Sequence, residues 1–270
     1  MTKKIVLVTG GAGYIGSQLV GLLLNSNYYV IVVDSLIFGG ESLLNFWHHP
    51  DFVFIKEDIT QTEQLNKIFV DYPIEVVIHL AAIVGDPACA KQPELAKKTN
   101  YEASVNLLEL SQKHKIGRFV FASTCSNYGK MQDFNSYVDE ESPLAPVSLY
   151  AELKVKFEQE LLARKKSDEL FCSTILRFAT VYGASPRMRF DLTVNEFTKE
   201  LTLGRPLEVF GEQFWRPYCH VYDFARAILL VIESNQQKVA YNIFNVGDTQ
   251  ENYQKQMIIE EIKKVIPTAQ

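Results

Sequence analysis

The stretch Ile5-Val-Leu-Val-Thr-Gly10-Gly-Ala-Gly13-Tyr-Ile-Gly16-Ser-Gln-Leu-Val20 decides how this chain is read. Five residues of strand character run into three glycines at GxxGxxG spacing, and an amphipathic helical pattern follows at once. Gly10 permits a tight turn, Gly13 lets a backbone come close to a bound pyrophosphate, and Gly16 lets the helix lie against the strand. The N–H groups of the first helical turn have no partner within the helix and point at whatever anion sits there. A glycine-rich turn that binds nothing would need neither the strand before it nor the helix after it.

Working outward, a second apolar run ends at Val32-Val33-Asp34, eighteen positions past Gly16. A dinucleotide-binding fold places an acid there against the adenosine ribose hydroxyls. Asp34 argues for NAD, because Ser35-Leu36-Ile37 offers no cation for the extra phosphate of NADP. Further β-branched runs occur at Ile5–Thr9, Tyr29–Asp34, Phe52–Lys56, Val76–Leu80, Phe119–Ser123 and Phe171–Phe178. Helical periods fill the gaps at 14–25, 62–70, 94–114 and 149–166, with Thr62 and Asn25 as punctuation. Apolar runs of this kind are parallel strands covered on both faces, so the expected architecture is an α/β doubly wound parallel sheet, the Rossmann arrangement.

After Phe178 the pattern breaks at Gly183, Pro186, Gly204, Pro206, Gly211 and Pro217, and aromatic residues and arginines become frequent. The division expected is a dinucleotide-binding domain over 1–178 and a smaller, mainly substrate-binding region over 179–270, from which the strand near 241–246 can return to the main domain. Asp223, ahead of the apolar helix Phe224–Val231, reads as an N-cap.

Of the 270 residues 47% are hydrophobic and 22% charged, a composition that supports a large core and excludes disorder. A net charge of −5 with no basic tract argues against nucleic acid and anionic lipid as partners. The apolar run behind Met1-Thr-Lys-Lys is too short for a signal or a membrane span, which makes the cytoplasm the expected location. Cys89, Cys125, Cys172 and Cys219 are scattered, and the histidines at 48, 49, 79, 114 and 220 form no metal-binding pattern, so reduced thiols and no metal are expected.

Tyr150 and Lys154 stand four apart on a helix and share a face. A tyrosine is a poor base at neutral pH unless a neighbouring ammonium favours its phenolate, and Lys154 is placed to do that for Tyr150, which could then take a proton from a sugar hydroxyl. The strand ending at Ser123 delivers Thr124 and Ser126 to the carboxyl edge of the sheet, where either could hydrogen-bond a reacting hydroxyl.

These motifs together resemble the extended short-chain dehydrogenases/reductases of the NAD-dependent sugar-nucleotide epimerase/dehydratase family. The likeness runs through Thr9–Gly16, Asp34, Asp58-Ile59, His79-Leu-Ala-Ala82, Asn100, Ser123-Thr124, Tyr128-Gly129, Tyr150-Ala-Glu-Leu-Lys154, Leu176-Arg177 and Val181-Tyr-Gly183. It implies Thr124, Tyr150 and Lys154 as the catalytic trio. It implies NAD bound by Gly10, Gly13, Tyr14, Ile15, Gly16, Asp34, Asp58, Ile59, Leu80, Ala81, Ala82 and Asn100, with Tyr150, Lys154 and Phe178 at the nicotinamide end. It also implies a nucleotide-sugar substrate whose diphosphate meets Arg216. Arg187 and Arg189 are read as a second cation for that diphosphate, as lining of the sugar pocket, or as a solvated basic turn, with Ser126 also on the substrate side.

Departures from the family pattern narrow the chemistry. Dehydratases of this kind carry Asp-Glu after the catalytic threonine, whereas this chain has Cys125 and Ser126, neither an effective carboxylic acid. Epimerisation at C4 through a 4-keto sugar is the favoured reading; net 4-dehydrogenation or keto-reduction uses the same residues, and a 4,6-dehydratase or a non-catalytic nucleotide-binding scaffold stands below both. Cys125 as an acid/base in carbanion chemistry is weighed against a small buried packing residue, and packing is preferred. Ala179-Thr180 and Pro217 replace a Phe-Asn pair and an acid common in relatives, which points to an unusual pocket. Relatives usually continue beyond the position of Gln270, which leaves open whether the chain is truncated or trimmed. The resemblance further implies a homodimer formed by the helices at 94–114 and 149–166, with Ala96, Ala103, Val105, Leu107 and Leu110 as apolar surface that a monomer would bury in its own core.

Overall fold

Strands β1 (Ile5–Thr9), β2 (Tyr29–Asp34), β3 (Phe52–Lys56), β4 (Val76–His79), β5 (Arg118–Thr124) and β6 (Cys172–Phe178) form within a residue of the expected runs in the computed structural model, which describes residues 3–129, 137–166 and 171–267. With β9 (Asn242–Val246) they make one seven-stranded parallel sheet in the order β3-β2-β1-β4-β5-β6-β9. All four residues of β4 and all seven of β6 are buried, as strands covered on both faces require.

Helices α1 (Tyr14–Asn25) and, later in the chain, α8 (Val221–Glu233) cover one face, with Leu19, Leu23, Phe224 and Ile228 against the sheet. The other face carries α2 (Thr62–Asp71), α5 (Ala103–Lys113) and α6 (Leu149–Ala163) through Leu65, Leu107, Phe157 and Leu161. Strand β1 pairs with β2 on one side and β4 on the other. That reversal of strand order opens a crevice at the carboxyl ends of β1 and β4, where ligands of such sheets bind.

The helix expected over 94–114 is divided. Short helices α3 (Asp86–Lys91) and α4 (Pro93–Lys97) come first, then a π turn over Lys98–Glu102, then α5. The π turn carries the buried Asn100. Helix α6 ends in a 3-10 turn over Arg164–Lys166.

The remaining elements are β7 (Thr180–Tyr182), α7 (Thr193–Thr202), β8 (Arg216–His220), α9 (Gln236–Val239), β10 (Asn252–Tyr253) and α10 (Lys255–Val265). A three-stranded sheet β10-β8-β7 and helices α7 and α10 form a small lobe around Phe197, Leu201, Tyr218, Ile258 and Ile262. Within the region after Phe178, α8 packs on α1, and β9 pairs with β6, so the segment 221–246 lies with the large sheet. The N-cap of α8 is His220, whose ring nitrogen accepts from the Tyr222 N–H at 3.3 Å. Asp223 is instead in the first turn, 3.0 Å from Arg226, so the N-cap expectation for it is corrected. Among the described residues no helix is long and apolar enough to cross a membrane.

Candidate active site

The glycine turn is shaped by crowding. Gly10 has φ +76°, and a Cβ there would stand 2.7 Å from the Ala81 nitrogen. At Gly16 a Cβ would collide with the Gly10 carbonyl oxygen and lie 2.7 Å from the Gly11 Cα. Helix α1 starts at Tyr14 with Gly13 as N-cap and no side-chain cap, leaving first-turn N–H groups facing the crevice. Asp34, at the end of β2, accepts from Ala12 N–H (3.0 Å) on one oxygen and from Leu36 N–H (2.8 Å) on the other. It braces the glycine turn from below, and each oxygen keeps a lone pair for a further donor.

The other expected cofactor residues ring the same edge. Leu80, Ala81 and Ala82 follow β4, partly exposed, with Leu80 N–H bonded to the Thr9 carbonyl at 3.1 Å. Asp58 closes a turn onto Thr60 N–H (2.8 Å), and Ile59 is buried beneath it. Asn100 is buried, and both ends of its amide hold the Ile83 backbone, donating to the carbonyl and accepting from the N–H at 2.8 Å each. It shapes the loop after β4 through that clamp. Phe178, at the carboxyl end of β6, is buried with its ring stacked 4.2 Å from that of Phe224. A dinucleotide fits this arrangement: a crowded glycine turn, an uncapped helix start and a carboxylate at the end of β2 are what a pyrophosphate and a ribose diol need.

Catalytic candidates sit on β5 and α6. Thr124 ends β5 and caps the following 3-10 turn, accepting from Ser126 N–H at 3.1 Å; Ser126 itself is exposed. Ser148 caps α6, so Tyr150 lies in its first turn and is partly exposed at the cleft. Lys154, one turn on, is buried and donates to the Ala122 carbonyl at 2.7 Å, with its ammonium 4.5 Å from the Phe121 ring centre and 5.8 Å from that of Tyr150. Burial raises the Tyr150 phenol above its ordinary value; Cys89 adds to the rise, Arg189 opposes it and Asp86 adds again. Burial lowers Lys154 to about 8 against the raising influence of Glu158 and Cys89. Left alone, then, Tyr150 holds its proton, and a positive charge beside it is needed to release it.

Cys125 is settled by its surroundings. Its thiol donates to the Arg177 carbonyl at 3.3 Å, and burial, the largest cause, pushes it up to about 12. A thiol held protonated in this way accords with the packing reading of Cys125.

The arginines part company. Arg187 lies over the Phe38 ring at 4.3 Å and within electrostatic reach of Asp34. Arg189 holds Asp191 through two bonds, 2.5 and 3.1 Å, and its charge reaches Tyr150. Arg216 opens β8, exposed and in register with Tyr253.

Sequence reasoning missed the tie between the two halves of this site. Ser185 Oγ donates to the Tyr14 carbonyl (2.6 Å), Gln18 donates to the Ala184 carbonyl (2.9 Å), and the Tyr14 hydroxyl donates to the Gly183 carbonyl and accepts from Asn195 (3.0 Å). The arginine-bearing loop is thereby fastened to the first turn of α1. The residues involved are about 170 or more apart in sequence, and no local signal links them.

Comparisons with known proteins give the family and the fold. Residues 6–247 match the NAD dependent epimerase/dehydratase family. A UDP-glucuronate 4-epimerase of Thermodesulfobacterium geofontis is 31% identical over 278 aligned positions, covering 96% of this chain and 80% of that protein. The bifunctional protein GAL10 of Kluyveromyces lactis is 30% identical over 85% of this chain, which spans only 36% of that longer protein. A crystal structure of the Thermotoga maritima UDP-glucose 4-epimerase with UDP-glucose superposes with a TM-score of 0.87 at 32% identity, covering 98% of this chain and 84% of that one.

Proposed function

The chain belongs to the NAD-dependent epimerase/dehydratase family, and from that premise we propose that it inverts C4 of the sugar in a UDP-sugar through a 4-keto sugar, with no net redox change. The observation that carries this reading is the pairing of Tyr150 with the buried Lys154 at the carboxyl edge, beside a segment in which Cys125 and Ser126 supply no carboxylic acid. Loss of water from neighbouring carbons needs such an acid; moving one hydroxyl proton needs only a tyrosine whose phenolate is favoured. Relatives named for 4-epimerisation of UDP-glucuronate and UDP-glucose support the same assignment.

In this mechanism Gly10, Gly13, Tyr14, Ile15, Gly16 and Asp34 hold the NAD, with Ile59 and residues 80–82 lining it. NAD, when bound, supplies the group that accepts the C4 hydride and gives it back. Tyr150 takes the C4 hydroxyl proton as the hydride leaves and returns it when the opposite face is reduced. Lys154 holds the phenolate by charge, and Thr124 offers its hydroxyl to the same oxygen. Arg189 and Arg216 are the cations proposed for the substrate side, and Arg187 is assigned to the adenosine end.

The same proposal places the enzyme in the cytoplasm, where its four free thiols persist. It includes a homodimer across α5 and α6. Because Ala96, Ala103, Leu107 and Leu110 are buried in the chain's own core, that interface would rest on outward residues such as Tyr101, Val105, Glu109 and Lys156 and be largely polar. Sedimentation of the purified protein tests the dimer.

The functional test is to identify the released cofactor and then incubate the protein with UDP-glucose, UDP-glucuronate and their dTDP, CDP and GDP counterparts. Conversion to the C4 epimer without accumulating NADH is the expected result. Stoichiometric NADH with a keto sugar would overturn it in favour of a dehydrogenase.

A further inference from the structure

Among the described residues, the buried side chains that carry charge at neutral pH are Lys154, Glu158 and Arg177, two cations and one anion. Tyr150, Lys154 and Glu158 lie at successive fours on α6, on one face. Arg177, on β6, grips the Glu158 carboxylate through Nε (3.1 and 3.2 Å) and a terminal nitrogen (2.7 Å). The same carboxylate accepts from Ser123 Oγ (2.5 Å), just before Thr124, and from Asn127 Nδ2 (2.8 Å), within the turn that Thr124 caps. Arg177 also donates to the Tyr128 hydroxyl (2.9 Å) and the Glu140 carbonyl (3.2 Å), and Tyr128 donates on to Asn245 (2.7 Å). Every segment bearing the catalytic trio therefore ends on one ion pair.

The charge arrangement matters as much as the bonds. Arg177 neutralises Glu158 at contact distance, whereas Lys154 has only the Ala122 carbonyl as its described hydrogen-bond partner and no carboxylate within ion-pair distance. The other groups facing Lys154 are Glu158, whose charge reaches it along the same helix, Tyr150 one turn back, Cys89 on α3 and the neutral His79 on β4. Tyr150 is faced by Cys89 and Asp86 on α3 and by Arg189.

We propose that Glu158 and Arg177 are positioning residues for the catalytic trio: the pair holds the segment 123–128 against α6 and, by satisfying itself, leaves Lys154 as a buried cation whose counter-anion is the Tyr150 phenolate. This rests on Tyr150 acting as the base. A purely structural pair would anchor the segment equally well at either sign of charge; a charge-setting pair would not.

The test uses the NAD-loaded protein and reads the Tyr150 phenol by ultraviolet difference titration against Tyr150→Phe in the same background. Glu158→Gln, close in shape, leaves both cations unopposed and should move phenol ionisation to lower pH. Arg177→Met leaves the carboxylate to oppose Lys154 and should move it to higher pH, each by about one pH unit. The double variant, which removes the two opposite charges together and leaves Lys154 as in wild type, should return close to wild type in the titration while kcat falls at least about tenfold with little change in KM, because Thr124 is less firmly held. Shifts of the two single variants in the same direction, or no shift, would overturn the inference. Should Arg177→Met not fold, the direction given by Glu158→Gln decides alone. The titration needs no turnover: expected shifts in a protein that epimerises nothing would sink the proposed reaction and not this device, and epimerisation without the shifts would do the reverse.

Discussion

His79 is buried and bonded through both ring nitrogens, and replacing it with glutamine should make the fold less sensitive to acid. Its ring is 1% exposed, bonded through Nδ1 to Thr9 Oγ1 (2.8 Å) and through Nε2 to Ser104 Oγ (2.9 Å), and packed against Phe119, Phe121 and Phe157. Burial, seconded by the charge on Lys154, lowers its pKa from 6.5 to about 3. Between those values the unfolded chain binds a proton at this position and the folded chain does not. Stability therefore falls as pH falls through that window, by about 1.4 kcal/mol per pH unit. From about pH 7 to about pH 5 this one group removes about 2 kcal/mol, and over the whole window about 5 kcal/mol. Urea unfolding at both pH values measures it. Carboxylates contribute equally to both proteins, so the loss in wild type should exceed that in His79→Gln by about 2 kcal/mol, even though the variant is weaker at neutral pH through lost ring packing. Equal losses would show that the ring is protonated in the folded protein or reached by water, and the reasoning would fail.

Three further outcomes are expected. Tyr150→Phe should lower kcat by about 10²- to 10⁴-fold while the protein still purifies with NAD, a combination read by turnover and by cofactor absorbance. Gly16→Ala should drive α1 off the glycine turn at an overpacking cost of about 1–3 kcal/mol, weakening NAD retention by about 5- to 150-fold in a dissociation assay. Cys125 should resist a thiol-exchange reagent at neutral pH until the protein unfolds, because its thiol is pushed up to about 12; rapid labelling of the folded protein at this residue would reopen acid/base chemistry for it.

What could be read directly from the sequence was local. The glycine spacing, Asp34 and the Tyr150–Lys154 interval each lie within one turn or one βα unit, where backbone sterics and helical period dictate what is near what. What escaped was long-range: Arg177 meeting Glu158, Ser185 meeting Tyr14, and Arg187 crossing to Phe38 depend on how separate elements dock. Side-chain packing was equally hidden. Asn100 and Phe178 carry the family's motif, yet their side chains are occupied by the Ile83 backbone and the Phe224 ring. The π turn at Lys98–Glu102 left no trace in the apolar pattern, because one extra residue in a helix changes its phase and not its composition.

The place of β9 has a consequence for how the protein is made. Strand β6 is buried along its whole length, between β5 and β9, and β9 is completed only at Val246. On the ribosome, at about 5–20 residues per second, the intervening stretch of about 70 residues takes several seconds to emerge. For that interval the Cys172–Phe178 strand has a free edge, the kind of template on which nascent chains pair with one another. Yield in a recombinant host should therefore depend on translation speed and chaperone supply across residues 179–246, and a chain interrupted there should be lost to inclusion bodies even though its nucleotide-binding motifs are already complete.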